Sequence, residues 1–194
     1  MKHLALAAVA ALTPALAAAA PSFLPARDVQ VTYTLSSPAQ AAGAYQLSYN
    51  AAQQLARVDS PNGYYVLANL PAAQAEIVVP AMRAIVQAPD FSALTAEIYQ
   101  ADNAKFTPIG TGHYAGLECR KYLVMDQHGT ARACITPDGV VLHFVGQNAQ
   151  GGTDVTATAV SYGPQAAGSF APPAGFTPLN LPPGALQMLL QPQG

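Results

Sequence analysis

The side chains that could do chemistry are few and scattered. Beyond residue 3 the chain has three histidines, His113, His128 and His143, and none lies at metal-ligand spacing from another histidine, a cysteine or a carboxylate on a common element. The ten acidic residues are dispersed, and no tryptophan or sugar-stacking platform accompanies them. We therefore expect no metal, no cofactor and no catalytic group.

The sequence also lacks the motifs of nucleotide-binding and acyl-transfer enzymes. The chain has no G-x-S-x-G nucleophile elbow, which disfavours a serine hydrolase. The run 110–112 (Gly-Thr-Gly) is too short for a phosphate-binding loop and does not lead into a helix. The sequence thus favours a protein that is not an enzyme.

Two cysteines, Cys119 and Cys134, are the strongest candidates for a structural role. Residues 117–125 and 130–136 read as strands around a hairpin loop at 126–129. Counting inward from that loop places the cysteines nearly opposite each other, so we expect a disulfide. A reactive redox pair is the alternative, but it lacks C-x-x-C spacing and an activating neighbour.

The same register makes a second prediction for this hairpin. It places Lys121 across from Arg132, a like-charge pair that would be unfavourable. A bulge or a solvent-facing arrangement would relieve the repulsion.

The N-terminus has the features of an export signal. Met1-Lys2-His3 is basic, residues 4–12 are apolar, and 15–17 (Ala-Leu-Ala) match a cleavage site after residue 17 or 18. An uncleaved membrane anchor is the alternative, but Pro14 interrupts the segment, which also falls short of the roughly 20 apolar residues that span a bilayer. We expect a periplasmic or secreted protein, in a compartment where cysteines oxidise.

Composition narrows the choice of partners. The chain has a formal net charge of −2, with 9% charged and 51% apolar residues. A nucleic-acid partner is therefore not expected, and no later stretch is apolar enough to be a transmembrane helix. The sparse charge, well below the usual share of about 25%, predicts a surface more apolar than average.

Alternation of apolar and polar residues dominates the rest of the chain and predicts antiparallel strands with one buried face. Two Pro-Asn/Asp-Gly turns, at 60–63 and 136–139, should reverse the chain between neighbours. The alternating or apolar strand segments are 29–36, 45–50, 54–59, 64–68, 75–79, 82–87, 105–113, 140–146 and 154–159, the last with Val155, Ala157 and Ala159 on one face.

Domain organisation follows from these patterns. We expect a signal at 1–20, an antiparallel β domain at 21–163, and a Pro/Gly-rich tail at 164–194 that is held by Phe170 and Phe176 and ends in a short helix. Residues 90–102 predict a single inserted helix, with Phe91, Leu94 and Ile98 on one face.

Residues 110–145 carry a resemblance to a known group. The segments 112–119 (Gly-His-Tyr-Ala-Gly-Leu-Glu-Cys) and 133–142 (Ala-Cys-Ile-Thr-Pro-Asp-Gly-Val-Val-Leu) resemble a family of uncharacterised exported proteins from α-proteobacteria. The order of elements is distantly similar to the LolA/LolB-type lipoprotein-carrier superfamily. This resemblance implies a mainly β fold, a curved antiparallel sheet or incomplete β-barrel whose apolar concave face is partly covered by the helix.

The resemblance leads to a functional hypothesis, which is binding or carriage of a lipid or other apolar ligand. The lining candidates are Val29, Val31, Tyr33, Tyr45, Leu47, Tyr49, Phe91, Leu94 and Ile98. The same residues could simply fill a solid core, which any antiparallel domain requires. The alternative function is a structural or protein-interaction module of the cell envelope, with a protein partner and no small ligand.

Overall fold

The computed structural model describes residues 21–37, 40–87, 104–126, 129–148 and 151–180. Short 3-10 helices at Pro80–Met82 and Ala167–Phe170 are its helical elements. The strands are β1 Val29–Ser37, β2 Gln40–Asn50, β3 Leu55–Asp59, β4 Tyr65–Asn69, β5 Gln74–Val79, β6 Ala84–Gln87, β7 Lys105–Tyr114, β8 Leu117–Asp126, β9 Gly129–Ile135, β10 Val141–Asn148, β11 Gly151–Tyr162 and β12 Thr177–Leu179. The predicted mainly β fold is confirmed.

The twelve strands form a single sheet built from two meanders. Strands β1 to β6 lie in sequence order on one side, strands β11 to β7 lie in order on the other, and the β1–β11 ladder joins them. Every pair is antiparallel except β12 with β6. The two edge strands, β7 and β12, do not pair with each other, so the sheet is open, as predicted.

Register divides the sheet into two faces, because residues opposite each other on neighbouring strands project to the same side. Val29 lies opposite Tyr49, Val31 opposite Leu47 and Tyr33 opposite Tyr45. We call this side the apolar face. On β8 and β9 both cysteines alternate with Tyr122 and Ala133, and we call their side of β7 to β9 the disulfide face. Both cysteines pack into the same buried cluster as Val29 and Val31, because the β9–β10 ladder is interrupted by a register shift between Val141 and His143.

The alternation of β11 is interrupted by a bulge that the sequence did not predict. Tyr33 lies opposite Ala157, whereas Thr32 lies opposite Ala159, so one extra residue of β11 is accommodated between them. Ala157 is buried on the apolar face and Ala159 is exposed. The prediction that the two alanines share a face was therefore wrong.

Both predicted Pro-Gly turns are confirmed. In the turn at 60–63 the Gly63 amide donates to the Ser60 carbonyl, and in the turn at 136–139 the Gly139 amide donates to the Thr136 carbonyl. The two glycines have φ values of 79° and 89°, a left-handed region that other residues rarely enter. Each turn connects neighbouring antiparallel strands, β3 with β4 and β9 with β10.

The β8–β9 hairpin forms the disulfide but not the predicted register. Both strands extend into the expected loop, with Asp126 opposite Gly129, and this shifts the pairing by two residues. Lys121 lies opposite Cys134 instead of Arg132, so the predicted like-charge pair does not exist. Cys119 and Cys134 are bonded diagonally across the two strands, with their Cα atoms 5.4 Å apart.

Glycine on the edge strand makes room for this bond. A Cβ on Gly112 would lie 2.9 Å from the Cys134 Sγ and 2.7 Å from the Lys121 Cε. These separations are below any ordinary carbon contact. The edge strand therefore lies directly over the disulfide.

The proline-rich tail packs on the side of β4 to β6 that lies away from the apolar face. Phe176 contacts a buried cluster of Tyr65, Leu67, Val78 and Ile85. Tyr65 lies opposite Asp59, which lies opposite Gln46, and Gln46 alternates with the apolar-face residues of β2. The tail thus covers the reverse side of that half of the sheet, and its end adds β12 in parallel to β6, a pairing that the sequence did not predict.

One end of the sheet is closed by a polar clamp. Asp138, in the β9–β10 turn, accepts hydrogen bonds from Arg27 Nε at 2.8 Å, from the Tyr162 hydroxyl at 3.2 Å and from the Thr136 hydroxyl. The Arg27 guanidinium also lies 3.8 Å from the centre of the Tyr162 ring. The clamp fixes the segment before β1 across the end of β11.

The predicted signal at 1–20, the helix at 90–102 and the terminal helix of the tail lie outside the described residues. Among the described residues no helix is long and apolar enough to cross a membrane.

The disulfide predicts a redox-dependent stability. We expect Cys119→Ser/Cys134→Ser to lower the free energy of unfolding by about 3 kcal/mol, because the bond limits the unfolded chain. Urea denaturation with and without dithiothreitol measures this change in the free energy of unfolding. The reductant should destabilise the wild type and leave the double variant unchanged, and a reductant effect of equal size in both proteins would contradict the prediction.

Asp138 predicts an acid-sensitive clamp. Partial burial opposes ionisation, but the hydrogen bonds from Thr136, Arg27 and Tyr162 outweigh it and hold the pKa of Asp138 below the ordinary 3.8. A depressed pKa contributes stability that is present above the ordinary value and is lost as the pH falls through the folded-state value.

We therefore expect Asp138→Asn to lower stability at pH 7 by about 1–3 kcal/mol, and to flatten the loss of stability below pH 4. Urea unfolding between pH 2.5 and 7 tests this, with the exposed Glu118→Gln as control. If the stability of Asp138→Asn falls below pH 4 as steeply as that of the wild type, Asp138 does not cause the acid sensitivity.

Candidate functional site

The apolar face changes from buried to half-buried along each central strand. On β1, Val29 and Val31 are both 0% exposed, whereas Tyr33 and Leu35 are half-buried. On β2, Tyr49 is buried, whereas Leu47 and Tyr45 are half-buried. The buried end of both strands is the end closed by the Asp138 clamp, and the other end is open.

The gradient continues across the neighbouring strands. Ala157 on β11 and Leu142 on β10 are buried, whereas Val155 and Phe144 are half-buried. Register joins the half-buried residues into one row, in which Phe144 lies opposite Val155 and Val155 opposite Leu35. We define the open end of the apolar face by the residues Leu35, Tyr45, Tyr122, Phe144 and Val155.

Aromatic rings extend this row toward the edge strand. Phe144 and Tyr122 both lie opposite Ala133, whose small side chain separates the two rings. Tyr122 meets Phe106 of β7 edge-on, with ring centres 6.1 Å apart, and Phe106 contacts Phe23 at 5.1 Å. The apolar surface therefore runs from β1 to β7.

Two glycines shape the open end. A Cβ on Gly146 would lie 2.9 Å from the Phe144 ring, so the absence of a side chain lets that ring lie along its own strand. A Cβ on Gly43, opposite Leu35, would lie 2.8 Å from Pro61. The β3–β4 turn therefore borders the open end beside Leu35.

Tyr33 marks the transition between the buried and the open end. Its hydroxyl donates to the Val141 carbonyl at 2.8 Å, which links β1 to β10 across β11. Burial and, to a lesser degree, the nearby Tyr162 raise the pKa of Tyr33 well above its usual value of 10. Tyr33 therefore stays a neutral hydrogen-bond donor and is not a candidate base.

The open end offers contact chemistry and no proton-transfer group near neutral pH. Its five defining residues are three aromatic and two aliphatic side chains. Burial, followed by the nearby Tyr64, raises the pKa of the Tyr45 phenol, against an opposing hydrogen bond with Ser60. The arrangement suits an apolar ligand with an occasional hydrogen bond to a phenol.

The structure places the described lining candidates on one face. Val31, Tyr33, Tyr45, Leu47 and Tyr49 are brought together by the β1–β2 register. Val31 and Tyr49 belong to the closed core, and the other three are half-buried. Their role as ligand contacts remains a prediction, as does that of Phe91, Leu94 and Ile98, which lie outside the described residues.

Sequence reasoning missed Phe144, Val155 and Tyr122 as members of the same surface. Each lies in a strand that the sequence did predict, and alternation alone identifies a buried side for each strand. The missing information was the register, which decides which residues of separate strands lie in one row.

A second side-chain cluster lies on the disulfide face. The His143 ring stacks on Tyr114 with centres 4.8 Å apart, its Nδ1 lies 3.2 Å from the Tyr114 hydroxyl, and its Nε2 lies 3.3 Å from Asp154 Oδ1. These contacts connect the edge strand β7 to β10 and β11. Among the residues that the structure describes, no group of three metal-binding side chains assembles here or elsewhere.

Comparison with known proteins identifies a fold and no family. No family model and no curated protein matches the chain. An uncharacterised conserved protein from Thermus thermophilus is 11% identical with a TM-score of 0.58, over 79% of this chain and 90% of its own.

A chain of the Pseudomonas aeruginosa MucA/MucB complex is 15% identical with a TM-score of 0.56, over 81% of this chain. The present chain spans only 62% of that protein's length. A LolA superfamily protein from Nitrosomonas europaea is 9% identical with a TM-score of 0.39, over 77% of this chain and 92% of its own, a likeness too loose to argue from. At these identities the matches establish a shared fold alone.

The Tyr33 hydroxyl gives a test of the link across β11. We expect Tyr33→Phe to lower the free energy of unfolding by about 1 kcal/mol, because the Val141 carbonyl loses a partner. Tyr122→Phe is the matched control, since no hydrogen bond of its hydroxyl is found within the described chain. Urea denaturation compares the two, and equal effects would show that the hydrogen bond contributes nothing specific.

Proposed function

We propose that the protein is an exported, non-enzymatic module that binds or carries a lipid or another apolar ligand at the open end of the apolar face. The observation that supports this most is the burial gradient, from Val29 and Val31 at 0% exposed to half-buried Leu35, Phe144 and Val155. A domain that needed only a core would gain by covering this row as well.

The size of that gain favours a ligand over chance exposure. Burying apolar surface stabilises by about 25 cal/mol per Å², so a row of large apolar side chains left in partial contact with water is costly. Contiguous apolar patches on soluble proteins commonly mark binding surfaces. A flexible acyl chain has the chemistry to cover aromatic and aliphatic side chains on several strands at once.

Export is the second part of the proposal. It is supported by the signal pattern of residues 1–20 and by the Cys119–Cys134 disulfide, which would persist in the periplasm or outside the cell.

A protein-interaction module of the envelope is the alternative, because a partner protein could cover the same row. The resemblance to a chain from the MucA/MucB complex motivates it. Strand addition at the edge strand β7 is disfavoured at mid-strand, where Pro108 has no amide to donate and the register shifts around Ile109. A protein partner would therefore bind more readily on the face of the sheet than at this edge.

Two neighbouring valines provide a matched test. Val155 lies on the apolar face opposite Leu35, whereas Val145 lies on the disulfide face opposite Arg132, and both are half-buried. We expect Val155→Asn to weaken uptake of the neutral probe N-phenylnaphthylamine about tenfold, a loss of about 1.4 kcal/mol, and Val145→Asn to change it less than twofold.

Native mass spectrometry of the protein purified from its own compartment is the companion measurement. Acyl species should co-purify with the wild type and with Val145→Asn, and be depleted in Val155→Asn. Equal uptake by both variants would overturn the placement of the site. A wild type that carries no acyl species and takes up no probe would favour the protein-interaction module.

A further inference from the structure

We infer that the part of the disulfide face around Leu123 and Met125 is a docking surface for an anionic phospholipid bilayer. Three basic residues, Lys105, Lys121 and Arg132, occupy this face through the β8 register. Lys105 lies opposite Met125, and Arg132 lies opposite Leu123. Lys121 is two residues before Leu123 on β8, so it projects to the same side. The three cations therefore surround two half-buried aliphatic side chains.

These cations are not neutralised within the described chain. The Lys/Arg ion pairs found there are Arg27 with Asp138 and Arg57 with Asp59, while Arg83 lies over the Phe176 ring. None of the three patch residues forms an ion pair with another described residue. Three of the eight Lys and Arg residues of the chain therefore lie together on one side of three neighbouring strands.

Acidic side chains lie away from the patch. Glu118 of β8 alternates with Lys121 and lies opposite His113, so it belongs to the other face. On the disulfide face the neighbouring acid is Asp154 of β11, two strands from Arg132, and it contacts His143. Among the side chains that the structure describes, no carboxylate lies between the three cations.

The combination of basic and apolar side chains favours a lipid bilayer as the partner. Lys121 is half-buried, with its stem over Gly112, while Lys105 and Arg132 are exposed. Basic residues around aliphatic side chains are the pattern by which proteins bind at the bilayer interface, where cations attract lipid headgroups and apolar groups enter below them. The exposed Ile109, 48% accessible on the edge strand, adds apolar surface nearby.

This inference is separable from the proposed ligand site, because on β8 Lys121 and Leu123 alternate with Tyr122 of the open end. It gives the protein a way to bind at a membrane surface. Binding should be weak and reversible, since only a few charges contribute.

Vesicle co-sedimentation tests the inference with the full exported chain. We expect binding to vesicles of one part phosphatidylglycerol and three parts phosphatidylcholine, no binding to phosphatidylcholine alone, and weaker binding as salt rises. Each of Lys105→Gln, Lys121→Gln and Arg132→Gln should weaken binding roughly fivefold. Arg120→Gln, which removes an exposed cation from the opposite face, is the matched control and should have less than a twofold effect.

A fluorescent reporter separates this surface from the ligand site. The chain has no tryptophan, so Leu123→Trp and the opposite-face Tyr122→Trp each introduce a unique signal. The emission of Leu123→Trp should shift to shorter wavelength with the anionic vesicles and not with the neutral ones. A shift confined to Tyr122→Trp, equal binding to neutral vesicles, or an equal loss in Arg120→Gln would overturn the inference while leaving the proposed function standing.

An acidic peptide is the competing partner. Binding of penta-glutamate by the wild type with no vesicle binding would also overturn the bilayer assignment. Val155→Asn should bind anionic vesicles as the wild type does, even if it loses the apolar probe.

Discussion

The antiparallel ladder between β1 and β11 is the constraint on which the fold depends. Each of the two meanders is assembled from neighbours in sequence, but this ladder pairs residues more than a hundred positions apart. Asp28, just before β1, reinforces the junction. Its carboxylate accepts hydrogen bonds from the Ala51 and Gln165 amides, and its carbonyl accepts one from the Gly163 amide. Without the junction the apolar face would consist of two separate surfaces.

Local features of this fold were predictable, and non-local ones were not. The turn at 136–139 was predicted because proline, aspartate and glycine determine its backbone within four residues. The Lys121–Arg132 pairing failed because hairpin register depends on how far the strands extend into the loop. Ala159 was misplaced because alternation carries no mark of a bulge.

The same reasoning applies to the candidate site. Val31, Tyr33, Tyr45, Leu47 and Tyr49 could be predicted to share a face, since two adjacent strands alternate clearly. Phe144, Val155 and Tyr122 join them only through the long-range ladder β1–β11, followed by the ladders β10–β11, β9–β10 and β8–β9 of the second meander. Sequence periodicity determines which side of a strand is apolar. It does not determine which strands are neighbours.

The two halves of the sheet use their reverse sides differently. Behind β4 to β6 the tail supplies Phe176, and the cluster of Tyr65, Leu67, Val78 and Ile85 becomes a second core. On the disulfide face of β7 to β9, Cys119 and Cys134 join the main buried cluster, whereas basic side chains with half-buried Leu123 and Met125 occupy the rest of that side.

The closed end of the apolar face makes its open end possible. Val29, Val31, Tyr49 and Leu142 form a buried cluster with Cys119 and Cys134 beside the Asp138 clamp, and this core provides stability that does not involve the opposite end of the strands. Because β1 runs through both regions, its backbone is held rigidly at one end while Leu35 lies in the accessible row at the other. An apolar surface anchored in this way keeps its shape without a ligand, which lowers the conformational cost of binding one.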